Sequence, residues 1–129
     1  CAKRGVDTRI ILPAVPDHKY AYVLAKRHFG ELMDAGVKIY TYTPGFIHAK
    51  VLLADGEEAV VGSINLDYRS LYLHYECGAL LYEAKAVMEV KEDFLQTLEI
   101  CQQVTEKDCK TNIVVHLLQD ILRLFAPLM

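Results

Sequence analysis

A histidine and a lysine two residues apart, in Phe46-Ile47-His48-Ala49-Lys50, are the first residues whose types and spacing suggest chemistry. On a strand such a pair points to one face while Ala49 and Val51 pack beneath it. An imidazole beside an ammonium suits phosphoryl transfer. One group attacks phosphorus or moves a proton, and the other neutralises phosphate oxygens. Asp55-Gly56 then offers a hairpin turn, and the chain returns through Gly62-Ser63-Ile64-Asn65. The return brings Ser63 and Asn65, two small hydrogen-bonding side chains, toward the same phosphate. No Walker-type glycine loop competes for that role. The five histidines are scattered and the four cysteines have no CxxC spacing, so the sequence offers neither a metal site nor a disulfide scaffold. His18, His28 and His116 lack a polar constellation and read as surface or packing residues.

The elements that must position these residues are legible in the periodicity. Residues 8–13 form an aliphatic, β-branched run, read as a buried strand. A helix starts at Pro16-Asp17, repeats Ala21, Leu24, Ala25, His28, Leu32 and Ala35 inward, and stops at Gly36. Residues 37–42 alternate as a second strand, which makes a βαβ unit with a parallel pair. After Pro44-Gly45 come three more strands, at 46–54, 59–62 and 77–82. A helix over 84–101 turns Val87, Val90, Phe94, Leu98 and Cys101 inward, and a polar stretch, 105–111, leads to a last helix over 112–125. The expected fold class is α/β, a mixed parallel and antiparallel sheet flanked by helices.

Charge and composition exclude several function classes. The 129 residues are 53% hydrophobic and 24% charged, which is globular rather than disordered, and the net charge of −3 argues against a counterion-releasing nucleic-acid binder. Lys3, Arg4, Arg9, Lys19, Lys26 and Arg27 face only Asp7 and Asp17 in the first 28 residues; a solvated helix and strand edge is the commoner use of such a stretch, and attraction to an anionic surface is the other. No apolar run approaches the ~18 residues of a membrane span. The last helix carries an apolar stripe, Ile113, Leu117, Ile121 and Leu124, widened by Leu118, Phe125 and Leu128. Packing on its own domain is the commoner use of such a stripe, and a membrane interface is the other.

The pattern His48-x-Lys50-x4-Asp55-x6-Gly62-Ser63-x-Asn65 resembles the HKD motif of the phospholipase D superfamily. Within it, Asp17-His18-Lys19, the run 42–48, Asn65-Leu66-Asp67-Tyr68-Arg69-Ser70-Leu71 and the ending 123–129 are similar to bacterial cardiolipin synthases. The resemblance covers nearly the whole chain and corresponds to the C-terminal half of such an enzyme. It implies a phospholipase D-like catalytic half-domain over 1–103, followed by a linker and amphipathic helix over 104–129. Cys1, with Ala2-Lys3-Arg4-Gly5 read as the end of a helix, fits a piece of a longer chain.

The resemblance also implies the chemistry. A phosphatidyl group passes between two phosphatidylglycerol molecules through a phosphohistidine, glycerol is released, and no cofactor is needed because one phosphodiester replaces another. This chain supplies the second motif, with His48 as the acid/base group and the nucleophile on the missing half. Lys50, Ser63 and Asn65 hold phosphate oxygens, and Asp55 completes the motif by ordering its turn. Glu76 matches a family glutamate that hydrogen-bonds the catalytic imidazole, which fixes its tautomer; an exposed glutamate at a strand end is the other use of that position. His74 and Tyr75 beside it could line a headgroup pocket. The implied partners are phosphatidylglycerol and other anionic phospholipids, and either the N-terminal half or a second copy of this chain, at a bacterial membrane that these residues do not cross. Another phospholipase D-type phosphodiesterase, a homodimeric nuclease and an inactive interaction fragment are the alternatives.

Overall fold

The computed structural model describes residues 1–109, 115, 119–121 and 124, with the backbone alone at 19 and 20. After a single 3-10 turn at Ala2–Arg4 the element order is β1 (Arg9–Pro13), α1 (Lys19–Asp34), β2 (Lys38–Tyr42), β3 (Lys50–Ala54), β4 (Glu58–Gly62), α2 (Tyr68–Tyr72), β5 (Gly78–Tyr82), α3 (Lys85–Glu99), β6 (Cys101–Gln103) and α4 (Glu106–Cys109). The architecture is α/β, with one mixed and one antiparallel sheet flanked by helices. These elements gather into two compact units, Cys1–Ile47 with the described residues from Ile100 onward, and His48–Glu99.

In the first unit β1 and β2 run parallel, Arg9 opposite Lys38 through Pro13 opposite Tyr42, as the βαβ pattern requires. Asp7 ties their ends together. Its carboxylate accepts from Arg9 at 2.6 Å and from Lys38 at 2.9 Å, and these two cations pull it down to about 2. α1 ends where the sequence turns to glycine. Gly36 takes φ 94°, its N–H donates to Met33 O at 2.8 Å, and Val37 N–H reaches back to Leu32 O at 3.0 Å. That pair of bonds is a Schellman cap. Phe29, Val37, Ile39 and Val104 form the buried core, with Ile10, Leu12, Ala25, Leu32 and Met33 packed around them.

Cys101 corrects the expected helix. α3 stops at Glu99, and residues 101–103 pair antiparallel with β2, Cys101 opposite Tyr42 and Gln103 opposite Tyr40. The helical spacing that included Cys101 loses to the unpaired edge of β2, whose backbone groups need partners. The polar stretch that follows also carries structure. Thr105 N–H and hydroxyl both donate to Asp108 Oδ2, at 2.8 and 2.7 Å, and Asp108 N–H donates to the Thr105 carbonyl oxygen at 3.0 Å at the start of α4.

Most of the last helix, 112–125, lies outside the described residues; those described at 115, 119–121 and 124 are helical. There Gln119 is buried and donates to Val23 O at 3.0 Å, Asp120 accepts from Arg27 at 2.9 Å, and Ile121 and Leu124 are exposed.

The second unit is a meander, β3-β4-β5, all antiparallel. Its register places Val51, Val61 and Ala79 in one row and Leu53, Ala59 and Leu81 in the next on the same face. Ala59 and, on α3, Val87 are the fully buried residues of this unit. Val90, Phe94 and Leu98 are half-buried along the same stripe of α3, spaced as the periodicity predicts. Among the described residues no helix is long and apolar enough to cross a membrane.

Candidate functional site

The turn of the β3–β4 hairpin, residues 55–57 between Ala54 and its ladder partner Glu58, determines where the motif residues stand. Asp55 and Gly56 both take positive φ, 52° and 77°, and Glu57 N–H closes the turn on Ala54 O at 3.1 Å. This is the mirror-image turn that suits the twist of paired strands, and it explains the Asp-Gly pair. It also puts Asp55 at the opposite end of the hairpin from Lys50, about 16 Å away at ~3.3 Å per residue. Asp55 thus stands at the turn and not beside Lys50.

At the open end of the sheet, Lys50, Gly62 and Gly78 lie in one cross-strand row. A Cβ on Gly62 would stand 2.6 Å from Gly78 Cα and closer still to the carbonyl oxygen of Cys77. Only glycine fits. The close approach lets Ser63 N–H reach Cys77 O at 2.9 Å and lets Cys77 N–H donate to Ser63 Oγ at 3.1 Å. Ser63 is thereby clamped across the strand ends, and its hydroxyl donates a short bond to Glu76.

β3 begins at Lys50, not at residue 46, so His48 precedes the strand. The pairing of strand faces that the sequence suggested for His48 and Lys50 therefore does not apply. Their link is different: the Lys50 ammonium donates to the His48 carbonyl oxygen at 2.8 Å, which curls the approach to the strand around the lysine. The Pro44-Gly45 break and a ladder whose first pair is Lys50 with Gly62 account for the shorter strand. His48 and Asn65 are exposed, and Lys50 is half-buried.

Glu76 has the most developed surroundings. Its side chain is 15% exposed. Hydrogen bonds from Ser63, first, and Ser70 hold its carboxyl below the usual carboxylate range, with electrostatic attraction to the His74 ring and the Lys50 ammonium adding to the effect. The carboxylate is ionised at neutral pH, and the nearby Lys50 makes the strand ends a mixed-charge cluster. Ser70 is held there by α2. Asp67 caps that helix by accepting from Ser70 N–H at 2.7 Å, a bond worth ~1 kcal/mol. Sequence reasoning missed α2, Ser70 and Arg69. The signal available was Asp67 three residues before Ser70, an N-cap spacing without an apolar period behind it.

The structure thus brings Lys50, Ser63 and Glu76 together and leaves Asp55 at the far turn. Ser63, expected at a phosphate oxygen, has both of its donors engaged within the protein. Among the described residues no group of three or more metal-ligating side chains converges.

Comparison with known proteins adds the family. Residues 1–98 match the family model described as the PLD-like domain of cardiolipin synthase. A protein of uncharacterized function from Streptococcus mutans is 50% identical over 129 residues, covering 99% of this chain and 28% of its own length. Proteins named cardiolipin synthase from Listeria welshimeri and Clostridium perfringens are each 40% identical over 99% of this chain and 27% of their own length. The chain spans little more than a quarter of the relatives it matches. On its motif, its fold and these matches, the chain belongs to the phospholipase D-like domain family of the cardiolipin synthases.

Proposed function

We propose that this chain is the second catalytic half of a phosphatidyltransferase that joins two phosphatidylglycerol molecules into cardiolipin and releases glycerol. The observation that carries the reading is the glycine row beside Lys50. This tight row clamps Ser63 and gathers Lys50, Glu76 and the exposed Asn65 about the same strand ends, where an ammonium can meet a phosphodiester. The relatives named cardiolipin synthase support the substrate class.

In this reading a histidine of the other half attacks phosphorus, the phosphorus–oxygen bond to glycerol breaks, and His48 gives its proton to the leaving oxygen. His48 then takes the proton of a hydroxyl on the second phosphatidylglycerol, whose oxygen attacks the phosphohistidine and frees the nucleophile. Lys50 and Asn65 balance the phosphate charge throughout. Ser63 reaches a phosphate oxygen only by giving up its bond to Glu76, so its standing role is to hold that carboxylate. Glu76 orients the imidazole of His48 and stabilises its protonated form. The whole enzyme works at an anionic membrane surface.

The full-length enzyme in phosphatidylglycerol vesicles is expected to release one glycerol per cardiolipin formed. This 129-residue chain alone is expected to give little turnover, because it supplies one motif. Glycerol release measured beside oligomeric mass tests both points. Robust turnover by a strict monomer would overturn the two-motif reading, and release of phosphatidic acid without cardiolipin would replace the transferase by a hydrolase.

A further inference from the structure

Glu76 uses one carboxylate oxygen, Oε2, for Ser63. Its other oxygen, Oε1, faces a second pair of side chains. Arg69 Nε donates to His74 Nε2 at 3.1 Å, and His74 Nδ1 lies 3.9 Å from Glu76 Oε1. We infer that Arg69 and His74 are positioning residues for Glu76, acting as a guanidinium–imidazole–carboxylate chain on the oxygen that Ser63 does not hold. The inference rests on the catalytic role proposed for Glu76 and adds the two groups that control it.

The backbone builds this arrangement. At the end of α2 both Leu73 N–H and His74 N–H donate to Arg69 O, at 2.9 and 2.7 Å, which folds residue 74 back over residue 69. The chemistry follows from donor counting. An arginine Nε–H can only donate, so His74 Nε2 must accept and carry no proton. The ring proton then sits on Nδ1, the atom nearest Glu76. At 3.9 Å this is attraction between an N–H dipole and a carboxylate and not a hydrogen bond. The arginine thus fixes the tautomer, and the imidazole carries its effect to the carboxylate. His74 is 45% exposed, so its replacement leaves the core intact.

Two measurements test this. On this chain labelled with ¹⁵N-histidine, the His74 ring is expected as the Nδ1–H tautomer, and Arg69→Met is expected to shift it toward Nε2–H. An Nε2–H ring in the unsubstituted chain, or one indifferent to Arg69→Met, overturns the proposal. In the full-length enzyme, His74→Ala is expected to lower kcat about tenfold, the scale of an outer partner of a catalytic group, with KM unchanged. His74→Asn, whose amide N–H falls where the Nδ1–H was, is expected to restore it. On a Glu76→Gln background His74→Ala is expected to add no further loss; a full additional tenfold loss there overturns the chain of action. If no cardiolipin forms, the substrate reading falls. The same cycle then runs on bis(4-nitrophenyl) phosphate, and the ring measurement decides the tautomer without any turnover.

Discussion

In the full-length enzyme His48→Ala is expected to lower transfer from phosphatidylglycerol by ~10²–10⁴-fold, the usual contribution of a positioned proton donor to an alkoxide leaving group. A nitrophenyl phosphodiester separates the roles, because nitrophenolate leaves without a proton. With that substrate His48→Ala should still form the phosphoenzyme and show a burst of nitrophenol. Lys50→Ala should impair both substrates alike, since phosphate charge must be balanced whatever leaves. The checks are the burst amplitude and the position of the trapped phosphohistidine. A burst abolished in His48→Ala, with the label on His48 itself in the unsubstituted enzyme, would show that this half carries the nucleophile.

The largest stability effect is expected at a residue with no side chain. Gly62→Ala inserts a Cβ against the Cys77 carbonyl and Gly78 Cα, both backbone atoms that cannot rotate away. The strands must part, at a cost of ~1–3 kcal/mol or somewhat more. The bonds that clamp Ser63 to Cys77 weaken with it, so Glu76 loses its strongest partner as well. Gly45→Ala is the control, because nothing lies within 4 Å of a Cβ there, and it should stay within about 0.5 kcal/mol. Urea denaturation of the two variants checks this. Equal midpoints would mean that β4 and β5 do not approach as closely as the row requires.

What the sequence made legible follows a physical division. Local periodicity and turn chemistry located the βαβ unit, the Asp55-Gly56 hairpin and the buried stripe of α3, because each depends on residues near one another in the chain. Cys101 was misplaced for the opposite reason. Its helical spacing was genuine, but the open edge of β2, some 60 residues away in the chain, recruited its backbone. His48 failed differently: a two-residue spacing implies a shared face only inside a strand, and the strand begins at Lys50. The position of Glu76 came from family resemblance alone. Its bond to Ser63 spans 13 residues and depends on the β4–β5 register, which no local pattern encodes. The five-residue helix α2 is too short for any period, and only its cap is written in the sequence.

Cys77, whose backbone clamps Ser63 from both sides, makes the site optically addressable. It is exposed and directly follows Glu76, while its N–H and C=O are already engaged, so a group attached at sulfur need not disturb the clamp. Of the other thiols, Cys101 and Cys109 are partly buried and pushed up by desolvation, which slows their alkylation. Cys1 is the competitor, also exposed, and Cys1→Ser removes it. A maleimide dye on the remaining fast thiol would sit one residue from the carboxylate. Its emission would then show in real time whether the anionic headgroup of the proposed substrate arrives there.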